Sequence, residues 1–475
     1  MSKSVPLIIN NQHVQTEELF PLKSPKNGEL LWLASSARLS DVEAAAVAAE
    51  TAFPAWEALA YTTRRDLLLN AAQIIKDSRE EIIATSREET AAGESWASWD
   101  IDGSVATIKD AASHVSSSKG EIPSTNDSND TALIYKVPYG VILAIVPWNA
   151  PGVLLMSAIA YALAAGNTVI IKSSELSPRT HFLLADAFRQ AGFPPGVVNL
   201  LTHAPDKGPQ VIPSLIQNPA IRKITFTGSS ATGRIIARLA GEALKPVVLE
   251  LGGKAPAIVL EDAILRDAAH GILNGAFGHG GQVCMATERV IVLRSIETPF
   301  VEALKEAYTE QCHGETYSQP LITQSAVKRV NALVDGAIRE GAAIVSGPAG
   351  YADEERRVFG PTILRSVNST SELYHAESFG PVISLFVVDT IDEAVHLAND
   401  TEYGLAASVW SADIGNALRV AKRIRFGTIQ INDSTAHGEP TLPHGGFGAS
   451  GFGRLTGPSA LAEFQSAKYI RFSLK

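Results

Sequence analysis

The feature that most constrains the fold is a regular alternation of short apolar runs with helical patterns, which begins at Gly140. Residues 141–146 form a continuous apolar run, typical of a strand covered on both faces and hence of a parallel sheet. A helix is predicted next, over residues 153–165. Further buried strands are predicted at residues 168–172, 197–201, 223–227 and 246–251. This alternation predicts a doubly wound α/β domain.

The downstream half repeats the pattern with different details and predicts a second α/β domain. Its strands are predicted at residues 289–293, 382–388, 406–410 and 428–431, and its helices at residues 392–398 and 412–424. Two extended segments, at residues 131–137 and 468–472, could pair with each other or with another subunit.

Length and charge narrow the class of protein. A chain of 475 residues is too long for one ordinary core, so at least two domains are expected. The formal net charge of -10 argues against nucleic acid or an anionic membrane as a partner. Two cysteines cannot build a disulfide framework, and the N-terminus has no apolar signal region. We therefore expect a cytoplasmic protein.

The run of glycines that leads into Cys284 is the strongest candidate for a reactive site. It reads Gly278-His279-Gly280-Gly281-Gln282-Val283-Cys284, and glycine lets the backbone pass close to a ligand. Cys284 is a candidate nucleophile, with a small buried hydrophobe as the alternative. The other cysteine, Cys312, has no such approach and is interpreted as incidental.

Two segments of the first domain are candidates for binding a nucleotide. In the stretch from Phe226 to Gly233 a strand runs into a helix N-terminus, whose free N–H groups favour an anion, although an ordinary capped helix start is the alternative. Lys172 and Glu175 follow the second strand, where Glu175 can accept from a ribose 2′-OH and repel a 2′-phosphate. NAD is thus favoured over NADP, although Lys172 weakens the exclusion and a solvated loop pair is the alternative.

Two further side chains follow strands of the same sheet. Asn149, after Pro147 and Trp148, offers N–H donors to a developing oxyanion, or it is a turn former. Glu250 lies between leucines before two glycines, and this apolar setting makes it a candidate general base.

Together these motifs resemble the aldehyde dehydrogenase superfamily, in order and in spacing, over essentially the whole chain. The motifs are Pro147-Trp148-Asn149, Lys172 with Glu175, Phe226-Thr227-Gly228-Ser229, Glu250-Leu251-Gly252-Gly253-Lys254, Gly281-Gln282-Val283-Cys284 and Glu377-Ser378-Phe379-Gly380-Pro381. The run over residues 141–151 also resembles the branch of benzaldehyde, vanillin and salicylaldehyde dehydrogenases.

The resemblance implies a division into domains and a set of cofactor contacts. It implies an NAD-binding domain over residues 1–118 and 138–250, a catalytic domain over residues 251–448, and arms at residues 119–137 and 449–475 that bridge subunits of a homodimer or homotetramer. No metal is implied. The implied cofactor-binding residues are Val146, Pro147, Trp148, Lys172, Glu175, Thr227, Gly228, Ser229, Gly233, Leu251, Glu377 and Phe379.

The resemblance also implies a mechanism of NAD-dependent aldehyde oxidation. The Cys284 thiolate attacks the aldehyde, the Asn149 amide and the Cys284 backbone N–H hold the oxyanion, and Glu250 activates the water that releases the acid. Glu377 grips the nicotinamide ribose and Phe379 packs beside it. Relatives with a proton relay carry a lysine and a glutamate where this chain has Ala158 and Ser466, so such a relay is doubtful here.

Small residues in the implied substrate tunnel favour a bulky or aromatic aldehyde. The tunnel residues are expected to be Ala150, Gly152, Leu155, Ser157, Gly278, Val283, Met285 and His444. Three alternatives stay open: a CoA-acylating dehydrogenase, a catalytically silent cofactor-binding or structural relative, and a cofactor-independent thioesterase or esterase. Glu250 argues against the first, and the intact set of Cys284, Glu250 and Asn149 argues against the second.

Overall fold

The computed structural model describes residues 4–312, 319–353 and 357–473. The other residues of the predicted domains and arms, 1–3, 313–318, 354–356 and 474–475, lie outside the described residues. The strands are β1 (Ser4–Val5), β2 (Leu7–Ile9), β3 (Gln12–Val14), β4 (Leu19–Lys23), β5 (Leu30–Ser35), β6 (Asp130–Pro138), β7 (Val141–Ile145), β8 (Thr168–Lys172), β9 (Val198–Leu201), β10 (Ile221–Thr227), β11 (Val247–Glu250), β12 (Ala255–Val259), β13 (Thr287–Leu293), β14 (Ala343–Ser346), β15 (Tyr351–Asp353), β16 (Val358–Phe359), β17 (Thr362–Arg365), β18 (Val382–Val388), β19 (Ala406–Trp410), β20 (Thr428–Ile431), β21 (Gly451–Phe452) and β22 (Gln465–Ser473).

The helices alternate with these strands over most of the chain. They are α1 (Leu39–Glu57), α2 (Tyr61–Asp77), α3 (Arg79–Thr90), α4 (Glu94–Ser113), α5 (Pro151–Ala164), α6 (Pro178–Gln190), α7 (Gly208–Gln217), α8 (Ser230–Glu242), α9 (Leu265–Phe277), α10 (Glu297–Gln311), α11 (Gln324–Arg339), α12 (Glu372–His375), α13 (Ile391–Asn399), α14 (Ile414–Ala421) and α15 (Gly457–Glu463). Within the described ranges, no helix is long and apolar enough to cross a membrane.

An eight-stranded sheet organises the first half of the chain, in the order β21-β11-β10-β7-β8-β9-β2-β3. Its five central strands, β11, β10, β7, β8 and β9, run parallel. Alternate residues of β7 pack into two different cores: Ile142 and Ala144 face α2 to α6, whereas Leu143 and Ile145 face α1, α7 and α8. Burial on both faces explains the unbroken apolar run. The doubly wound prediction is confirmed, and the five predicted strands end within two residues of the observed ones.

A seven-stranded sheet organises the second half, in the order β14-β17-β18-β13-β12-β19-β20, and only β14 is antiparallel to its neighbour. Helices α9 and α10 pack on one face, and α13 and α14 pack on the other. The sequence patterns did not predict strand β12, which lies near the middle of the sheet. Its second residue, Pro256, has no N–H to donate; the register shifts between Ala255 and Pro256, and such a bulge accommodates a proline.

The two extended segments pair with each other. Strands β6 and β22 form an antiparallel two-stranded ribbon in which Gln465 lies opposite Pro138 and Ser473 lies opposite Asp130. Just before this ribbon, β21 joins β11 in the eight-stranded sheet, so this part of the predicted C-terminal arm pairs with the first domain. The full division into domains stays a prediction.

Helix α5 begins at Pro151, two residues before the predicted start, because a distant carboxylate caps it. The residue before the helix, Ala150, has no side chain that can accept a hydrogen bond. Asp100 of α4 instead accepts from the backbone N–H groups of Gly152 and Val153, at 2.9 and 2.8 Å. This cap fixes the helix start that follows Asn149.

Candidate active site

Several candidate site residues lie at the carboxyl edge of the first sheet. Asn149 follows β7, Lys172 ends β8, Thr227 ends β10 and Glu250 ends β11. Because these four strands are parallel neighbours, their carboxyl ends meet at one edge, where α/β sheets bind ligands. At the start of α8 the Ser229 hydroxyl accepts from the Thr232 N–H at 3.3 Å.

The cysteine reaches this edge through a loop whose backbone is left-handed. After α9, the φ angles of His279, Gly280 and Gly281 are 50°, 63° and 70°. A Cβ at Gly281 would lie 2.3 Å from the carbonyl oxygen of Gly380, so only glycine allows the two loops to touch here. The Asn149 amide donates to the carbonyl of Gln282 at 3.0 Å, which ties the cysteine loop to the first sheet.

Two cavities meet at Cys284. The first, of about 420 Å³, is called the cofactor cavity below; it is lined by Pro147, Trp148, Thr227, Gly228, Ser229, Glu250, Gly252, Arg329, Glu377 and Phe379. The second, of about 300 Å³, is called the substrate cavity; its lining includes Trp96, Trp99, Ala150, Ser157, Val283, Met285 and His444. Asn149, Leu154 and Cys284 line both cavities. A molecule in either cavity therefore reaches the same sulfur.

The sulfur of Cys284 carries its proton in this arrangement. Burial, followed by the nearby Glu250 carboxylate and then Glu377, holds the pKa of the Cys284 thiol well above its usual range. The thiol therefore needs a base before it can act as a nucleophile. Glu250 is buried beside it, and its Oε1 lies 3.4 Å from Nε2 of His444.

The cofactor cavity contains a second buried carboxylate, on the loop that precedes β18. Burial and then Glu288 raise the pKa of Glu377 to about 8, and its Oε1 accepts from the Gly253 N–H at 3.0 Å. Glu288 pairs with Lys254 in the interior and accepts from the Ser378 N–H at 2.8 Å. Arg329 donates to the carbonyls of Glu377 and Ser378, so both main chain and side chain of this loop are fixed.

An aromatic group connects the two cavities. Phe379, with a φ of 45°, makes an edge contact with Trp148 at 6.2 Å between ring centroids. His279 lies at 5.8 Å from Trp148 and stacks on Trp96 at 5.4 Å. Trp96 in turn donates from its indole nitrogen to the carbonyl of Asn149 at 2.9 Å.

The remaining predicted cofactor residues do not line the cofactor cavity. Lys172 pairs with Glu175 at 3.4 Å. Burial alone would raise the pKa of Glu175, but the charge of Lys172, hydrogen bonds to the carboxylate and His203 together lower it. Val146 and Leu251 are buried in the two cores of the sheet. A Cβ at Gly233 would lie 2.5 Å from Leu251, so this glycine allows close packing of α8.

Three of the eight predicted substrate residues do not line the substrate cavity, and the prediction is corrected for these. Leu155 is fully buried in the core of the first domain, as are most residues of α5. Gly152 lies against Asp100 and Ser104, where a Cβ would lie 2.4 Å from the serine oxygen. Gly278 is outside the lining.

The sequence patterns predicted neither the aromatic wall of the substrate cavity, formed by Trp96 and Trp99, nor the contact between His444 and Glu250. Trp96 and Trp99 of α4 pack at 4.8 Å from each other and both line the cavity. Neither follows a strand or belongs to a glycine motif, so no local signal marked them. The tilted tryptophan pair narrows a space that small residues were expected to leave open.

The residues at the two relay positions line neither cavity. Ala158 is buried in the core of the first domain, and Ser466 pairs with Val137 in the ribbon. Among the residues that the structure describes, no group of three or more histidine, cysteine, aspartate or glutamate side chains could hold a metal ion.

Two cavities that meet at one cysteine are the arrangement expected of an enzyme that brings a small substrate and a nucleotide cofactor to the same sulfur. The chain belongs to the aldehyde dehydrogenase family, whose model matches residues 12–470. It is therefore an aldehyde-oxidising oxidoreductase, as the motifs predicted.

Named relatives match nearly the whole chain. The chain is 38% identical to a vanillin dehydrogenase of Pseudomonas fluorescens, covering 98% of this chain and 97% of that protein. It is 37% identical to a salicylaldehyde dehydrogenase of Pseudomonas putida, with the same coverage. The crystal structure of a salicylaldehyde dehydrogenase from Pseudomonas putida G7 complexed with salicylaldehyde superposes with a TM-score of 0.95 at 36% identity, covering 99% of this chain and 98% of that one.

Proposed function

We propose that this aldehyde dehydrogenase oxidises an aromatic aldehyde to its carboxylic acid, with NAD preferred over NADP. The observation that carries the proposal is the meeting, at Cys284, of a cavity that contains the Glu250, Glu377 and Arg329 side chains and a cavity lined by Trp96 and Trp99. Two indole rings in the lining suit the binding of an aromatic ring. The names of the matched vanillin and salicylaldehyde dehydrogenases support the same substrate class.

The residues of the cofactor cavity fit a dinucleotide. The hydroxyl oxygen of Thr227 is buried, lines the cavity and has no hydrogen-bond partner among the described residues. The N-terminus of α8 begins beside it and suits a pyrophosphate. Glu175 would bind the adenosine ribose and Glu377 the nicotinamide ribose, and the Glu175 carboxylate disfavours a 2′-phosphate. When bound there, NAD supplies the acceptor for the hydride of the aldehyde.

The chain's own residues carry the steps at the sulfur. Glu250 takes the proton of the Cys284 thiol, and the thiolate bonds to the aldehyde carbon. The amide of Asn149 and the backbone N–H of Cys284 hold the oxyanion. After the carbon is oxidised and Glu250 has released the thiol's proton, Glu250 deprotonates a water, which attacks the thioester and releases the acid.

The substrate proposal is tested by steady-state kinetics of the intact protein with benzaldehyde, vanillin, salicylaldehyde, acetaldehyde and hexanal, each with NAD and with NADP. We expect the largest kcat/KM for an aromatic aldehyde with NAD, and no change on adding CoA. A preference for the aliphatic aldehydes would overturn the substrate class. Acyl-CoA as the product would favour the CoA-acylating alternative.

The two cysteines provide a matched pair of variants. Cys284→Ala is expected to abolish NADH formation with every aldehyde, because no other thiol lines either cavity in the described residues. Cys312→Ala is the control; Cys312 is half-buried and packs near the core of α9 and α10, so activity should be retained. NADH formation by Cys284→Ala, or hydrolysis of an ester without NAD as the only activity, would exclude the mechanism.

We further propose that the ribbon of β6 and β22 joins subunits of a homodimer or homotetramer. The outer edge of β22 pairs with no other strand among the described residues, and Tyr469, Ile470 and Phe472 are exposed along this strand. Light scattering of the full chain is expected to give a dimer or a tetramer, and Tyr469→Glu with Phe472→Glu a smaller species. In the proposed division into domains, the two strands of this ribbon belong to the arms that bridge subunits. We also propose that the protein is cytoplasmic, since a free thiol at Cys284 suits a reducing compartment.

A further inference from the structure

The contact between Glu250 and His444 points to a route for protons that the motifs did not contain. Glu250 is 1% exposed, so a proton that it takes from water has no direct path to solvent. Its Oε1 lies 3.4 Å from Nε2 of His444, and its Oε2 has no hydrogen-bond partner among the described residues. Apart from the Cys284 thiol beside it, His444 is the only side chain in the described ranges that lies within hydrogen-bonding distance of this carboxylate.

The two residues border different cavities. Glu250 lines the cofactor cavity, whereas His444 lines the substrate cavity and keeps 19% of its side chain exposed. A proton that leaves Glu250 on the first side must pass the cofactor. On the second side it meets an imidazole, which can accept a proton at one ring nitrogen and release one at the other.

The loop that carries His444 is held in place by backbone contacts. The carbonyl of His444 accepts from the Leu455 N–H at 2.8 Å. The next residue, Gly445, has a φ of 158° and lies so close to Gly427 that a Cβ on Gly427 would be 1.8 Å from the Gly445 oxygen. Arg454 donates to the carbonyls of Gly446 and Gly453. The ring is thus anchored at its backbone near the base.

We propose that His444 takes the proton from Glu250 during hydrolysis of the thioester and passes it to water in the substrate cavity. The water loses a proton to Glu250 as its oxygen bonds to the carbonyl carbon, and the C–S bond then breaks to leave the acid and the Cys284 thiolate. The proton moves from Oε1 of Glu250 to Nε2 of neutral His444, and the proton on Nδ1 passes to water. This inference rests on the mechanism proposed above.

The charged and titratable groups around His444 come from four parts of the chain. They are Glu250 on β11, Cys284, the pair of His437 and Asp433 at 3.1 Å with the nearby Glu439, and Arg454, whose Nη1 lies 3.0 Å from the Cβ position of Gly445. Cys284 and His444 both lie beside Glu250 and line the substrate cavity, and of the two only the ring of His444 can accept a proton at one nitrogen and release one at the other. It acts through Glu250 and is a positioning and proton-exchanging residue.

The test compares His444→Gln with wild type in single-turnover reactions with benzaldehyde and NAD. Glutamine can still donate a hydrogen bond to Glu250 but cannot accept its proton. NADH formation is expected at the wild-type rate, while quenched samples should show the enzyme-bound acyl group hydrolysing about 10- to 100-fold more slowly, part of what general acid–base catalysis supplies. Equal hydrolysis rates, or an equal loss in both steps, would overturn the proposal.

Chemical rescue provides the second measurement. In His444→Ala, added imidazole should restore hydrolysis of the acyl group with saturation, and the restored rate should rise with the fraction of neutral imidazole as the pH is raised. A residue that only holds the loop would give no rescue, and that outcome also contradicts the proposal.

Two other histidines are the controls. His396→Gln, on the exposed face of α13, should behave as wild type. His437→Gln changes a residue of the substrate cavity that does not contact Glu250, so it should change the KM for the aldehyde and leave acyl hydrolysis unchanged. If wild type itself forms no NADH from any aldehyde, the proposed function fails; if wild type is active and His444→Gln matches it, only this inference fails.

Discussion

The two cavities that meet at Cys284 are lined by different kinds of side chain. The cofactor cavity is bordered by charged groups that are held by other charged groups, as in the Lys254–Glu288 pair behind Glu377. The substrate cavity is bordered by Trp96 and Trp99, by aliphatic and proline side chains, and by polar side chains that include Ser157, Gln430 and His444. The first can hold a polar molecule by hydrogen bonds, and the second can select a substrate by shape and ring stacking.

Their origins in the chain differ as well. The cofactor cavity is built largely from residues that directly follow strands of one sheet, which topology places together. The substrate cavity combines α4, α5, the cysteine loop and the segment over residues 427–444. We therefore expect variants of the two cavities to change different kinetic constants, and variants of the shared residues to change all of them.

The largest effect should come from Asn149, which lines both cavities. Asn149→Ala removes a donor to the oxyanion and should lower kcat/KM for every aldehyde by roughly 100- to 1000-fold. Because its amide also donates to the Gln282 carbonyl, alkylation of Cys284 by iodoacetamide must be measured in parallel. If the alkylation rate is unchanged, the loss of kcat/KM comes from the missing donor to the oxyanion. A loss for only one class of aldehyde would contradict the expectation that a residue shared by both cavities affects every substrate.

A smaller effect is expected from the aromatic wall. Trp99→Ala should raise the KM for benzaldehyde by about 10-fold, in line with the free energy of one aromatic contact and the lost burial, and should leave the KM for NAD unchanged. Trp99 suits this test because Trp96 also donates to the Asn149 carbonyl and would change two properties together.

The matching variant for cofactor binding is Glu175→Gln. It removes the charge that disfavours a 2′-phosphate, so the ratio of kcat/KM for NADP to that for NAD should rise by about 10-fold, with Lys172 still present. The KM for benzaldehyde should not change. A change in the aldehyde KM here, or in the NAD KM of Trp99→Ala, would show that the two cavities are coupled.

The same contrast explains what the sequence could predict. Local patterns predicted the strands of the first sheet, and the parallel topology then brought Asn149, Thr227 and Glu250 to one edge. They could not predict Trp96, because its place in the cavity depends on how α4 packs on α5. They also placed Leu155 in the tunnel, since a helix pattern does not say which of two apolar faces meets the sheet.

Long-range hydrogen bonds account for other differences. Ala150 is a poor cap, and only the structure shows Asp100, about fifty residues earlier, capping α5 in its place. His444 was expected in the tunnel and lies there, but its contact with Glu250 joins residues 194 apart in the chain. No spacing rule connects two such positions.

The effect on the kinetic constants should be smallest for the two buried carboxyl groups that cap a helix beside each cavity. Glu89 of α3 caps α6, on the cofactor side, by accepting from the Arg179 and Thr180 N–H groups at 2.9 Å, just as Asp100 caps α5 on the substrate side. Burial raises the pKa of both carboxyl groups to about 7. The folded protein thus binds these protons more tightly than the unfolded chain, so each group lowers the free energy of unfolding as the pH rises from about 4 to 7, by up to roughly 3 to 4 kcal/mol.

Glu89→Gln and Asp100→Asn should be less stable than wild type, because an amide cannot accept from all the N–H groups of the helix start. Their stability should also fall less steeply with pH over this range, because the titrating carboxyl group is gone. Urea unfolding at pH 5, 6, 7 and 8 measures the slope, with Glu88→Gln, an exposed neighbour on α3, as the control that keeps it. If the cavities are separate, Asp100→Asn should also raise the aldehyde KM and Glu89→Gln the NAD KM. If both variants lose stability with pH as steeply as wild type, the raised pKa values of Glu89 and Asp100 are not the source of this pH dependence.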